Sequence, residues 1–97
     1  DPPAFAKHKN VLHNALQGYR KLNAKAFEKI KPGGILFTFS CSQVVTKENF
    51  RLAVFSAAAQ SKRRVRILHQ LTQPADHPVN IYHPEGEYLK GLVLYVE

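Results

Sequence analysis

Apolar residues first recur along this chain at helical spacing. Leu12, Ala15, Leu16, Tyr19, Leu22, Ala26, Phe27 and Ile30 predict one long amphipathic helix over residues ~9–31. Arg20, Lys21, Lys25 and Lys29 fall mostly on its other side. Pro32-Gly33-Gly34 stops that helix and turns the chain. The period then disappears: Ile35-Leu36-Phe37-Thr38-Phe39-Ser40 is an almost wholly apolar run, as a strand buried in a parallel sheet would be. Thr46 is a good N-cap for a second helix over residues ~47–61, with Phe50, Val54 and Ala57 or Ala58 facing inward. Val65-Arg66-Ile67-Leu68-His69 alternates as strands do. The segment from Gln73 to Glu87 is rich in Pro, His and Gly and reads as a loop. Lys90-Gly91-Leu92-Val93-Leu94-Tyr95-Val96 closes the chain as a strand.

Helix, strand, helix, strand, loop and strand in that order predict an α/β unit spanning residues 1–97. No internal repeat or interdomain linker divides it. The chain opens on Asp1-Pro2-Pro3 with no strand ahead of a helix whose apolar face needs a sheet to cover. That arrangement is expected of the middle of a domain, not of its start.

Composition narrows the function classes. No apolar stretch approaches the ~20 residues of a membrane span, and the basic amino-terminal region lacks the apolar core of a signal peptide. A single cysteine, Cys41, leaves no internal disulfide framework and no multi-cysteine metal site. These features point to a reducing, cytoplasmic home without membrane or metal. Fourteen Lys and Arg against seven Asp and Glu give a net charge of +7. Seven of the basic residues lie between Lys7 and Lys31, and Lys62, Arg63, Arg64 and Arg66 form a second cluster. Such an excess favours a polyanion through counterion release, and it equally suits a well-solvated protein surface.

Three groups of residues together resemble one family. Asp1-Pro2-Pro3-Ala4-Phe5 looks like the Asp-Pro-Pro motif at the end of the fourth strand of class I methyltransferases. Pro32-Gly33-Gly34-Ile35-Leu36 looks like the turn into their fifth strand. Thr38-Phe39-Ser40-Cys41-Ser42, then Ala75-Asp76-His77-Pro78, Pro84-Glu85-Gly86 and Tyr88-Leu89-Lys90-Gly91, are similar to the bacterial 23S ribosomal RNA (cytosine-5-)-methyltransferase family. The resemblance covers essentially the whole chain. It implies the C-terminal half of a Rossmann-like class I fold, with about three strands, the last antiparallel, and two main helices. It also implies S-adenosylmethionine as cofactor and ribosomal RNA as partner. The glycine-rich turn and acidic residue that grip the cofactor in this family have no counterpart here, because Gly33-Gly34 ends a helix instead of opening one. The chain alone is therefore expected to be inactive and to bind the cofactor poorly.

The resemblance also assigns residues. Asp1 would sit at the carboxyl end of a strand, where it and Pro2 would face the methyl donor. Pro2 and Pro3 carry no N–H, so they stiffen the loop and leave its carbonyls free to accept from an exocyclic amine. Phe5 becomes a stacking surface for an extruded base, an interaction worth about 1–3 kcal/mol. Cys41, just past the Ile35–Ser40 strand, would add to carbon 6 of cytosine and activate carbon 5. Taken alone, a lone cysteine is more often a small buried hydrophobe. His77, which Asp76 would orient, and Lys90 would meet the substrate. The related RNA enzymes carry a second cysteine in the Asp-Pro-Pro motif, and this chain has none, which leaves Asp1 or a water to remove the carbon-5 proton.

Two other functions fit parts of the pattern. A methyltransferase acting on guanine or adenine uses the same Asp-Pro-Pro scaffold but needs no nucleophilic cysteine. A non-catalytic basic RNA-binding module would need no further half. Cutting a larger sheet before the Ile35–Ser40 strand would also expose an apolar edge, so the piece is expected to form a homo-oligomer through it.

Overall fold

The computed structural model describes residues 3–73, 81–82 and 88–97, and the side chains from residue 8 onward. The elements run α1 (Pro3–Lys29), β1 (Gly34–Ser40), α2 (Lys47–Ser61), β2 (Val65–Leu71) and β3 (Lys90–Val96). The α/β class and the element order are those expected. α1 begins six residues earlier than the apolar period suggests. Its first residue is Pro3, whose fixed φ suits the first helical position and whose missing N–H would have had no partner there.

The helix-to-strand turn follows from three residues. Pro32 fixes the second position of a tight turn, Gly33 adopts φ 85°, and Gly34 N–H donates to the Lys31 carbonyl at 2.9 Å. This is the pattern of a type II turn, which requires a residue tolerant of positive φ at its third position. α2 starts where Thr46 Oγ1 accepts from the Asn49 N–H at 3.0 Å, and it ends at Lys62 in the left-handed region.

The three strands pair in the order β1-β3-β2, with β3 antiparallel to both. β1 and β2 therefore run parallel to each other on either side of it. Leu92, Leu94 and Val96 of β3 turn toward the helices and pack with Phe27, Phe50, Val54 and Ala57. Phe50 also meets Tyr19 edge to face, with ring centroids 5.5 Å apart. Ala57, not Ala58, is the fully buried alanine of α2.

Two expectations about burial need correction. Leu22 belongs to the apolar period of α1 but is 65% exposed, whereas its neighbour Asn23 is 2% exposed. The buried stripe runs through Tyr19, Asn23 and Phe27, and Asn23 tolerates burial because its Nδ2 donates to the Tyr19 carbonyl at 2.8 Å. β1 is not enclosed on both faces either. Both helices pack on one side of the sheet, so Ile35, Phe37 and Phe39 point to the other side and stay exposed. As an edge strand it pairs only with β3, and antiparallel, among the described residues.

Candidate functional site at the carboxyl edge of the sheet

The register brings the carboxyl ends of β1 and β2 to the amino end of β3. Ser40 lies opposite Lys90, and Leu71 lies opposite Gly91. Glycine is needed at this crossing. A Cβ on residue 91 would stand 2.6 Å from the Phe39 ring and 3.2 Å from Leu71. The carboxyl ends of β1 and β2 thus meet the amino end of β3 at one edge, the end at which open α/β sheets generally place ligands.

Cys41 follows β1 directly and is exposed. The residues on either side of it are not. Ser40 is 2% exposed, its hydroxyl donates to Tyr19 Oη at 2.8 Å, and its Oγ accepts from the Ser42 N–H at 3.3 Å. Lys90 is 6% exposed, and its Nζ donates to the Ser42 carbonyl at 2.7 Å. The same carbonyl accepts from the Val45 N–H at 3.3 Å. An exposed thiol therefore sits in a turn held from α1, from β3 and from its own backbone. Tyr19 does not stand out in the sequence as a site residue, because a helical Tyr carries no motif of its own, and Ser40 enters the sequence reading only as part of the motif around Cys41.

A cleft of about 160 Å³ opens beside Lys90. Lys47, Arg51, Gln70, Thr72 and Leu92 line it, and Glu48 brings one carboxylate among the cations. The structure thus brings Cys41 and Lys90 to one edge. Asp1, Pro2 and His77 lie outside the described residues, as does Asp76. Pro3 and Phe5 are in the first turns of α1, and their side chains are outside the description as well.

The second basic cluster is divided by the fold. Arg63 does not point to solvent as a phosphate contact would. Its Nη1 donates to the carbonyls of Phe27 at 2.6 Å and Ile30 at 2.9 Å, and its Nε donates to that of Glu97 at 2.9 Å. It satisfies carbonyls that the end of α1 leaves without helical partners. Arg66 is exposed and reaches Glu97 at 3.5 Å. Lys62 and Arg64 remain exposed, as do Lys21, Lys25 and Lys29 along α1. Among the described residues no three His, Cys, Asp or Glu side chains gather to hold a metal ion. No described helix is long and apolar enough to cross a membrane.

No family model matches this chain. It is 49% identical over 94 residues to a protein of Tolumonas auensis named Ribosomal RNA large subunit methyltransferase I. That match takes in 97% of this chain and 24% of the relative, so the chain spans about a quarter of the relative's length. A putative SAM-dependent methyltransferase from Streptococcus mutans superposes with a TM-score of 0.73 at 19% identity, over 82% of this chain and 21% of that one. A putative methyltransferase complexed with SAH superposes with a TM-score of 0.73 at 20% identity, over 82% and 20%. The two structures share their fold with this chain.

Proposed function

We propose that this chain is the C-terminal part of the catalytic domain of an S-adenosylmethionine-dependent methyltransferase. Its product would be 5-methylcytosine in 23S ribosomal RNA, made through a covalent bond to Cys41. The observation that carries this reading is the exposed thiol at the carboxyl end of β1, in a chain so similar to a named ribosomal RNA methyltransferase. Purine methylation through the same scaffold has no use for a nucleophile at that point. A cytoplasmic site of action belongs to the same reading.

The described residues do not themselves cradle the cofactor. The Gly33-Gly34 turn lies at the start of β1, opposite the edge that carries Cys41, so it does not take the place of a glycine-rich cofactor loop. Asp1 and Pro2 are this chain's residues for the donor, and the remainder of the cradle belongs to the rest of the enzyme. S-adenosylmethionine, when bound, supplies an electrophilic methyl group.

The chain's own contribution is to make cytosine reactive. The Cys41 sulfur adds its electron pair to carbon 6, and the electrons of the 5,6 double bond are freed toward carbon 5. Once carbon 5 carries the methyl group, its proton leaves to a base, with Asp1 the chain's candidate. The carbon–sulfur bond then breaks and returns the electron pair to Cys41. Exposed lysines of α1 and of the turn after α2 would meet RNA phosphates.

The test is Cys41→Ala in the full-length enzyme. Methylation of ribosomal RNA should be abolished while S-adenosylmethionine affinity stays nearly normal. Normal turnover would remove Cys41 from the mechanism, and label found on a purine would remove cytosine from the reading.

A further inference from the structure

We propose that Lys90 is a positioning residue, whose buried ammonium holds the Ser42 carbonyl and so fixes the turn that presents Cys41. The inference rests on Cys41 being the nucleophile, and it gives Lys90 a role other than meeting the substrate.

Burying a lysine is costly. Removing an ammonium from water is unfavourable unless good hydrogen bonds replace the hydration shell. An apolar residue at the amino end of β3 would extend the run of Leu92, Leu94 and Val96 without that penalty. Lysine stands there instead, 6% exposed, with its Nζ 2.7 Å from a carbonyl one residue beyond the thiol. A charge-assisted bond of that length is about twice as strong as a neutral one.

The geometry says what is held. Ser42 is fixed at both of its backbone polar groups. Its carbonyl takes Lys90 and the Val45 N–H, and its N–H goes to Ser40 Oγ. Ser40 is in turn tied to Tyr19 of α1. The two residues flanking Cys41 are thus anchored to different elements, while Cys41 itself makes the exposed crest between them. A nucleophile that attacks one carbon of an extruded base needs a fixed origin, and a misplacement of about 1 Å can cost on the order of a hundredfold in rate. Lys90 acts on that origin through the main chain and does not touch the base.

Three variants of the full-length enzyme test this: Lys90→Met, which keeps the length of the side chain without its charge, Lys90→Arg, and Tyr19→Phe. Hydrogen-exchange mass spectrometry on the peptide covering residues 41–46 reads the turn, and methylation kinetics read its consequence. Lys90→Met should speed exchange in that peptide about tenfold. It should also lower kcat by at least that factor, with the KM for RNA nearly unchanged. Lys90→Arg should recover most of both. Tyr19→Phe should speed exchange less, since it releases only the Ser40 side of the turn.

Exchange at the wild-type rate in Lys90→Met overturns the brace, whatever reaction the enzyme performs. Faster exchange with unchanged kcat overturns the positioning role, and a raised KM with normal kcat returns Lys90 to substrate contact. Should Lys90→Met fail to fold, Lys90→Arg and Tyr19→Phe carry the test: unaltered exchange in Tyr19→Phe would contradict the shared network. Failure of the underlying reading looks different. Normal turnover in Cys41→Ala would retract the nucleophile, and its positioning with it, even with the Lys90 brace intact.

Discussion

Two basic side chains do the same work at opposite ends of this sheet. At one end the Lys90 ammonium holds the Ser42 carbonyl beside an exposed thiol. At the other the Arg63 guanidinium gathers the carbonyls of Phe27, Ile30 and Glu97, joining the end of α1, the start of β2 and the end of β3. A guanidinium can serve three acceptors because its donors fan out in a plane, whereas an ammonium acts as a compact point charge. The difference in outcome comes from the neighbours. Arg63 closes a corner where no nucleophile stands among the described residues, so its value is stability. Lys90 closes the turn that carries Cys41, so its value is geometry. A cation that holds backbone acquires a functional meaning only from what that backbone presents.

The strongest way to break this contrast is to remove Arg63. Arg63→Ala should leave its three carbonyls without the charged donor and lower stability by roughly 3 kcal/mol, by analogy with other part-buried charged hydrogen bonds. Chemical denaturation measures that loss, and kcat per folded molecule should not change. A large loss of kcat in fully folded Arg63→Ala would erase the distinction between the two ends.

Gly91→Ala comes next, at the edge that carries Lys90. Its new methyl group would push on the Phe39 ring and on Leu71, costing about 1–3 kcal/mol. The disturbance should reach Lys90 through the strand, so activity should fall along with thermal stability. A stable variant with full activity would mean that the crossing at Gly91 has more slack than the 2.6 Å approach implies.

Thr46→Ala should cost about 1 kcal/mol by removing the cap of α2, and denaturant midpoints will register it. Because the cap follows the turn of Cys41, exchange in residues 41–46 should rise slightly, but far less than in Lys90→Met. An equal rise would assign the order of that turn to the helix cap instead of to Lys90.

The smallest effect on stability should come from reversing Lys62 and Arg64 together, with Arg63 left in place. Folding should change by less than about 0.5 kcal/mol, as is usual for exposed charges. If these side chains meet phosphates, RNA affinity should drop and its dependence on log salt should flatten by about one to two. An unchanged slope would return both to ordinary solvated surface.

On the uncovered face, Ile35, Phe37 and Phe39 stand exposed beside the side of β1 that has no strand partner among the described residues. The isolated 97-residue chain should self-associate there, and Phe37→Lys should shift it toward monomer in sedimentation velocity. A monomeric wild-type chain at high concentration would refute that edge as an assembly site.

Much of this architecture is legible in the sequence where local chemistry dictates it. Pro32-Gly33-Gly34 and Thr46 place the boundaries of β1 and α2 to within a residue, because turn type and capping are properties of a few neighbours. β2 is less complete: its alternation fades after His69, yet the strand runs to Leu71 because β3 supplies the pairing. The direction of long cationic side chains was the least legible part. Arg63 and Arg64 are adjacent and alike in sequence, and only the position of the end of α1 decides which of them turns inward. Lys90, expected to meet the substrate, hides its burial from the sequence for the same reason. The Ser42 carbonyl that it holds lies 48 residues away, on a turn that only the fold brings near.

The strand order has a further consequence, for the sequence of events in folding. β1 and β2 make no ladder with each other, and both pair with β3, the final strand of the chain. Residues 3–61 can form helix and turn before residue 90 is made, but among the described residues β1 and β2 have nothing to pair with until then. Among the described residues, every strand pairing waits for residues 90–96 to insert between β1 and β2. Nearly all of the sheet's contacts are therefore long in sequence separation, a pattern that slows folding and leaves apolar strands unpaired in the interval. A version lacking only its last eight residues would not be a slightly shortened protein. It would leave β1 and β2 without the strand that both of them pair with, prone to be captured by chaperones or by one another.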